Sequence, residues 1–140
     1  MKLSKFNDEG YYDSTMYQAL TNIEEERKRE ARFRPMVYIC SPYAENIGRN
    51  VANAQRYSRF AVDSGCLPIT PHLYFPQFLD DNNKHDRRIA MLMIRILMGN
   101  CSEVWVFGDR FTQGMEAEIR MANEKKKPIR YFTRRCKEIH

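Results

Sequence analysis

The sequence predicts an α/β protein of three layers, with a flavodoxin- or Rossmann-like parallel sheet of four to five strands and an N-terminal helical extension. Short apolar, β-rich runs alternate with amphipathic helical segments along most of the chain. Because the links between them are short, the connections are expected to be right-handed crossovers that place helices on both faces of the sheet. The length of 140 residues suits one such domain.

The first part of the chain is predicted to be separate from this domain. Residues 1–34 contain many helix formers, with Met16, Leu20 and Ile23 at helical spacing. The second half of this segment is almost wholly charged, so we expect it to pack at one end and to be solvated at the other. We therefore divide the chain into a helical N-terminal extension, 1–34, and an α/β domain, 35–140.

Within the domain, four strands and three helices follow one another in strict alternation. The predicted strands are the runs PMVYIC, CLPIT, EVWVFG and PIRYF, which are short, apolar and rich in β-branched or aromatic residues. The predicted helices are the runs NVANAQRYSRFAVDSG, DRRIAMLMIRILMGN and GMEAEIRMANEKKK. The first helix carries apolar residues on one face, and Gly65 is a typical C-terminal residue for it.

The second of these helices is apolar nearly all round. Met91, Met93 and Met98 lie on it, and such a surface indicates a core helix or an interface between subunits more often than a cofactor site. The sequence therefore predicts a homo-oligomer, a dimer or tetramer, that buries this helix.

Composition excludes several classes of protein. The hydrophobic fraction of 43% and charged fraction of 29% are typical of a globular chain. No apolar run approaches the length of a membrane span, and the N-terminus lacks the apolar core of a signal peptide, so we expect a cytoplasmic protein without a membrane partner. The net charge of +5 owes much to the run KKKPIRYFTRRCK, which a solvated helix end explains more simply than nucleic-acid binding.

Neither a metal nor a cofactor is expected. The four cysteines are scattered and form no CxxC pair, which favours reduced, mostly buried thiols. Asp80, Asp81, His85 and Asp86 are close in sequence, but their spacing matches no standard ligand set, and aspartate is common at helix starts.

Polar residues follow three of the predicted strands. Ser41, Pro42 and Tyr43 follow the first strand, His72 follows the second, and the segment 108–114 follows the third. In open α/β sheets, ligands bind beyond the carboxyl ends of the strands. We therefore expect these segments, including Asp109 and Thr112, to form one ligand-binding rim.

The helix after the third strand carries two glutamates, and helical geometry separates them. With 100° per residue, Glu118 lies on the same side as Met115, Ile119 and Ala122, whereas Glu116 points about 160° away. Glu118 should therefore face the sheet. Desolvation would raise its pKa and the helix N-terminus would lower it, so we expect an ionised but poorly hydrated carboxylate. The alternative is a boundary glutamate that turns out to water or bonds a backbone N–H.

These residues resemble the nucleoside 2-deoxyribosyltransferase-like superfamily, which includes 2-deoxynucleoside 5′-monophosphate N-glycosidases. The chain looks closest to a small, often phage-associated branch. The resemblance covers about residues 35–132 and is carried by VYICSPYA, LPITPHLYFP, CSEVWVFG and GMEAEIRMA. In the last of these, the family places a glycine, a few residues, then a glutamate followed by an aliphatic residue and, three further on, an alanine. Glu118, Ile119 and Ala122 fit that pattern.

The resemblance implies that Glu118 is a nucleophile that attacks the anomeric carbon of a 2-deoxyribosyl group and forms a covalent glycosyl-enzyme. Gly114 would let the backbone approach the ligand. The N–H groups of Gly114 and Met115, with the Thr112 hydroxyl, would bind a 5′-phosphate.

The resemblance also assigns the other parts of the rim. The loop Ser41-Pro42-Tyr43 would wall the sugar and base. His72 would hydrogen-bond the base or move a proton, although a histidine between prolines and aromatics is as often structural.

One position departs from the family. Family members carry an aspartate on the helix before the third strand, and an ungapped count reaches Arg95. An arginine there could pair with Glu118 or bind a phosphate in a bidentate manner, but it cannot act as an acid. Asp86 is the nearest acid that a shifted register could supply.

Three functions remain open from the sequence. The first is cleavage or exchange of the N-glycosidic bond of a 2-deoxynucleoside or its 5′-monophosphate. The second is a protein that binds a nucleotide or an ADP-ribose-derived signal without turnover. The third, which is weaker, is a nucleic-acid adaptor that uses the basic C-terminal run.

Overall fold

The computed structural model describes residues 14–30 and 33–140, which fall into two compact units. The first unit, Met1–Phe33, contains the helix α1 (Ser14–Glu30), in agreement with the helical spacing of its apolar residues. Residues 1–13 and 31–32 of the predicted extension lie outside the described residues. The second unit, Arg34–His140, is the α/β domain.

The α/β domain is built on one sheet of five strands in the order β2-β1-β3-β4-β5. The strands are β1 (Met36–Cys40), β2 (Leu67–Ile69), β3 (Glu103–Phe107), β4 (Ile129–Phe132) and β5 (Glu138–Ile139). The helices are α2 (Ile47–Asp63), α3 (Lys84–Gly99) and α4 (Gln113–Glu124), and two single-turn 3-10 helices, Pro71–Leu73 and Phe75–Gln77, follow β2. The alternating α/β architecture predicted from the sequence is confirmed.

The sequence pattern missed the two single-turn 3-10 helices and the edge strand β5. β5 has two residues and pairs antiparallel with β4, whereas the other four strands are parallel. Arg130 of β4 holds it in place, because its guanidinium group donates two hydrogen bonds to the Glu138 carboxylate, at 2.8 and 2.7 Å. The same group lies over the rings of Trp105 and Phe132.

The alternation of side chains along β1 creates two cores, one on each face of the sheet. Tyr38 and Cys40 face the core that includes Met98 of α3 and Met115 of α4. Val37 and Ile39 face the other core, which includes Tyr57 and Ala61 of α2 together with Phe107. The helices α3 and α4 therefore cover one face, and α2 covers the other.

The predicted inner face of α2 is largely confirmed. Ala54, Tyr57 and Ala61 are buried, and the ring of Tyr57 stacks on Phe107 at 4.2 Å. Val62, at the end of that face, is 39% exposed. Gly65 follows the helix at φ +83°, a conformation that favours glycine.

The helix α3 is only partly covered. Ile94 and Met98 are buried, whereas Met91, Leu92 and Ile96 are exposed.

None of the described helices is both long and apolar enough to cross a membrane. All four cysteines are free thiols, three of them buried, as predicted.

Candidate functional site

The strand order reverses direction between β1 and β3. β2 extends the sheet on one side of β1, and β3 and β4 extend it on the other, so the connections after β1 and β3 lead to opposite faces. Open α/β sheets bind ligands at this reversal, beyond the carboxyl ends of the strands. The segments predicted to form the rim follow these strands.

The helix α4 carries Glu118 into this region. Thr112 is its N-cap and accepts a hydrogen bond from the Met115 N–H through its hydroxyl oxygen, at 3.2 Å. Met115, Met121 and Ala122 are buried on the sheet side, and Glu118 lies with them at 3% exposure. Glu116 is exposed. The helical-wheel prediction that separated the two glutamates is confirmed.

Three side chains surround the carboxyl group of Glu118. His72 Nε2 lies 3.5 Å from Glu118 Oε1, which is too long for a strong hydrogen bond. The Tyr38 hydroxyl and the Cys40 thiol of β1 lie close to the carboxyl group and lower its pKa. Neither forms a hydrogen bond to it with regular geometry. The Cys40 thiol donates instead to the Met115 carbonyl, at 3.9 Å.

The loop after β1 adds Tyr43 to this group. The Tyr43 ring stacks on the His72 ring, with 5.4 Å between centroids and 12° between planes. Asn50 of α2 fixes the loop, because its amide donates to the carbonyls of Tyr43 and Ala44 at 3.0 and 2.9 Å. The next residue, Glu45, has φ +79°, which is unusual for a residue other than glycine.

Burial sets the charge states of Glu118 and His72. It raises the pKa of Glu118 to about 8, and the nearby Tyr38 and Cys40 offset only part of that effect. Burial also lowers the pKa of His72, although Asp81 opposes this shift. At neutral pH both groups are therefore uncharged, so the expectation that Glu118 stays ionised is wrong. Desolvation outweighs the helix N-terminus because the side chain lies under the sheet rather than at the surface.

Buried polar atoms without partners concentrate at this place. Among the described residues, four buried side-chain nitrogen or oxygen atoms lack a hydrogen-bond partner: Tyr38 Oη, Ser41 Oγ, His72 Nε2 and Glu118 Oε2. Such atoms are rare in folded proteins and destabilise the fold unless a ligand or a reaction uses them. Three of the four belong to the Glu118 group, and Ser41 directly follows β1.

A cleft of about 410 Å³ opens at the carboxyl edge of the sheet, and none of Tyr38, Cys40, His72 and Glu118 lines it. Pro42, Asp109 and Thr112 line it, so two of the three predicted rim segments, those after β1 and β3, converge there. Its other walls come from the start of α2, from the β3–α4 loop and from the turn after β4. Gly108, in the β3–α4 loop, has φ +109°, which explains the glycine at that turn.

Arg95 is not part of the group. Its side chain is about half exposed on α3, and its guanidinium group lies 4.0 Å from the Glu124 carboxylate. The suggested pairing of Arg95 with Glu118 is wrong. Asp86 does not supply an acid to Glu118 either: it is partly buried and accepts a hydrogen bond from the Asp80 N–H, at 2.8 Å.

The anion site predicted at the start of α4 has fewer free donors than the sequence suggested. The Met115 N–H is occupied by the Thr112 hydroxyl oxygen, so it is not a free donor. Gly114 is exposed, and an added Cβ would meet Thr112 Oγ1 at an ordinary 3.8 Å. Nothing within the described chain therefore requires glycine at this position.

The sequence analysis missed three neighbours of the catalytic candidates. Tyr38 and Cys40 were assigned only to a buried strand, although strand alternation indicates that they share one face. Asp81 was considered only as a metal ligand. Within the described residues, no three His, Cys, Asp or Glu side chains come together to hold a metal ion.

The raised pKa of Glu118 predicts a pH-dependent effect on stability. The folded-state pKa of about 8 exceeds the unfolded value of 4.5, so the group's contribution is fully present below pH 4.5 and is lost as pH rises to about 8. Glu118→Gln removes this dependence. As pH rises through this window, the free energy of unfolding of the wild type should therefore fall relative to that of Glu118→Gln, by at most about 1.4 kcal/mol per pH unit. Urea unfolding at pH 5, 7 and 9 measures it, with Glu116→Gln as the control; parallel curves for wild type and Glu118→Gln would contradict it.

The fold and the crevice define an α/β protein with the fold of a 2-deoxyribosyltransferase. A solved 2-deoxyribosyltransferase from Bacillus psychrosaccharolyticus superposes with a TM-score of 0.60 over 70% of this chain and 72% of that chain, at 14% sequence identity. The chain belongs to the family described as Domain of unknown function (DUF7768), whose model matches residues 35–132. No functionally curated protein matches it.

Proposed function

We propose that this protein cleaves or exchanges the N-glycosidic bond of a 2-deoxynucleoside or its 5′-monophosphate, with Glu118 as the nucleophile. The observation that carries the proposal is the buried Glu118 carboxyl group, 3.5 Å from His72 Nε2 and among buried polar atoms that have no partner in the described structure. The fold shared with a 2-deoxyribosyltransferase supports the same reaction class.

The uncharged state of the pair suggests how the nucleophile forms. Glu118 passes its proton to His72 Nε2, the atom that faces its carboxyl group. The carboxylate then attacks C1 of the sugar, while the C1–N bond breaks and its electron pair leaves with the base. His72 gives the proton to the departing base. A carboxylate suits this step because it stabilises an oxocarbenium-like transition state and then forms a bond that can be broken again.

The second half of the reaction returns the site to its starting state. Water attacks C1, and the ester bond to Glu118 breaks with its electron pair on the carboxylate. The proton released by water returns to the pair formed by His72 and Glu118. If another base attacks in place of water, the product is an exchanged nucleoside and its ring proton returns to the same pair. Tyr38 would donate to Glu118 and so orient the carboxyl group.

The remaining members of the rim have supporting roles. Tyr43, fixed through Asn50 and stacked on His72, would bound the base and hold the imidazole in place. Ser41 would donate to the sugar through its unpartnered hydroxyl group. The test is direct: the protein is incubated with the four 2-deoxynucleosides and their 5′-monophosphates, and free base is followed by chromatography. Release above the rate without protein supports the proposal, and no release from any of them contradicts it.

One observation favours a second candidate function, which is nucleotide binding without turnover. The group around Glu118 has no acid in the position of the family's aspartate, because Arg95 stands there and pairs with Glu124. In that case nucleotides would raise the melting temperature of the protein without release of base.

We also propose that α3 is buried in a homo-oligomer. Its exposed face carries Leu92 and Ile96 at 62% and 64% exposure, and exposed apolar clusters of this kind mark interfaces. The variant Leu92→Asp/Ile96→Asp is expected to sediment as a monomer, while the wild type sediments as a dimer or tetramer. Ile47→Asp, at an exposed apolar position on α2, is the control. A monomeric wild type at micromolar concentration would contradict this proposal.

A further inference from the structure

Three arginines from separate segments line the cleft at the carboxyl edge of the sheet. Arg49 lies in the first turn of α2, Arg110 lies between β3 and α4, and Arg134 lies in the turn between β4 and β5. The sequence analysis assigned none of them to a site. Guanidinium groups are the side chains best suited to phosphate oxygens, because they donate in a planar, bidentate geometry.

The arginines come from three segments spread along the carboxyl edge of the sheet rather than from one. They follow β1, β3 and β4, which are adjacent strands of the sheet. Neighbouring strands lie about 4.8 Å apart, so the segments that carry the arginines span roughly 10 Å along the carboxyl edge of the sheet. A span of this length fits a chain of phosphates better than one phosphate group.

Part of the uncharged hydrogen-bonding capacity of the cleft is already used. The Asn50 amide donates to two backbone carbonyls, and the Asn46 side chain caps α2 by accepting from the Arg49 N–H. Arg49 and Arg110, by contrast, have no side-chain hydrogen bond or ion pair within the described part of the chain. Both guanidinium groups can therefore donate to a ligand in this cleft, which favours an anion over a neutral sugar or base.

Two carboxylates also line the cleft and limit its positive charge. Asp109 lies 3.5 Å from Arg134, and both side chains are more than half exposed, so this ion pair is weak and can be displaced by a ligand. Glu45 is the second carboxylate. Three guanidinium groups against two carboxylates leave the cleft cationic.

From this arrangement we infer that the cleft binds the phosphate chain of a nucleoside 5′-di- or triphosphate. The inference rests on the proposed function for the nucleoside part of the ligand. Pro42 lines the cleft, and the adjacent Tyr43 stacks on His72, so a ligand with its phosphates against the arginines can extend its sugar towards Glu118. The substrate class would then be a 2-deoxynucleotide with more than one phosphate.

Calorimetric titration tests the inference without turnover. Glu118→Gln protein is titrated, without added metal, with one 2-deoxynucleoside, its mono-, di- and triphosphate, and inorganic triphosphate alone. Affinity is expected to rise about tenfold or more from the monophosphate to the triphosphate, and inorganic triphosphate should bind and compete. Arg49→Gln/Arg110→Gln and the single Arg134→Gln should each remove most of that gain, because each lost charged contact weakens binding about tenfold.

Arg120→Gln is the matched control, because Arg120 is an exposed arginine of α4 outside the cleft. Equal affinity for mono- and triphosphate, or equal losses in Arg120→Gln and the cleft variants, would overturn the inference. The two proposals fail separately. Base release without preference for di- or triphosphates would support the proposed function and contradict the phosphate site. Arginine-dependent triphosphate binding without base release would support the phosphate site and contradict the proposed function.

Discussion

Glu118→Gln is expected to abolish release of base, with a fall in kcat of about 10³-fold or more, while Glu116→Gln keeps the wild-type rate. The amide of glutamine has nearly the same shape as the carboxyl group but is a poor nucleophile, and removal of a nucleophile eliminates the covalent route. The control is well matched, because Glu116 lies two residues away on the same helix and is exposed.

The stability measurement makes this result interpretable. Glu118→Gln is expected to unfold no more easily than the wild type at pH 7 to 9, so loss of activity would not reflect loss of the fold. Base release that survives in Glu118→Gln but disappears in Glu116→Gln would contradict the assignment. Equal rates in both variants would show that neither glutamate is the nucleophile.

His72→Ala is expected to lower kcat by about 10²- to 10³-fold and to change the shape of the pH profile. In the wild type the pair of Glu118 and His72 needs one proton between them, so the rate should fall as pH rises above about 8, where the pair loses it. The rate should also fall at low pH, where His72 gains a proton. Because burial lowers the pKa of His72, this fall should begin at a lower pH than for an ordinary histidine.

In His72→Ala the carboxyl group loses its proton acceptor. The remaining activity should then rise with pH as Glu118 ionises directly, the opposite slope to that of the wild type above neutral pH. The measurement is the rate of base release between pH 5 and 10 in both proteins. Tyr74→Ala is a suitable control, because Tyr74 is a largely exposed aromatic residue near His72 in sequence. Profiles of the same shape in wild type and His72→Ala would contradict the proton transfer.

Local periodicity was enough to predict most of the fold. Each parallel strand lies within a predicted run, and each helix of the domain overlaps one but begins one to three residues before it. Buried strands and amphipathic helices leave a strong pattern in the sequence. β5 has only two residues, and its pairing depends on the contact of Arg130 with Glu138, which are eight residues apart. No local pattern reports such a contact.

The candidate site, too, was predictable only where local periodicity determines it. The inward position of Glu118 follows from the helical period alone, and its burial confirms it. The charge state of Glu118 is set by its burial, which Tyr38 and Cys40 offset only in part, and these contacts join segments about 80 residues apart. The position of Arg95 beside Glu124 depends on how α3 and α4 pack, which spacing within one helix does not determine.

Mass spectrometry of the protein during turnover tests the central claim most directly. The reaction is quenched in acid, and the tryptic peptide FTQGMEAEIR, residues 111–120, is examined because it contains both glutamates. We expect this peptide to gain the mass of the 2-deoxyribosyl group of the substrate, with any phosphates it carries, and fragmentation should locate the added mass on Glu118. Continued base release with an unmodified peptide, or with the sugar on Glu116, would contradict the account.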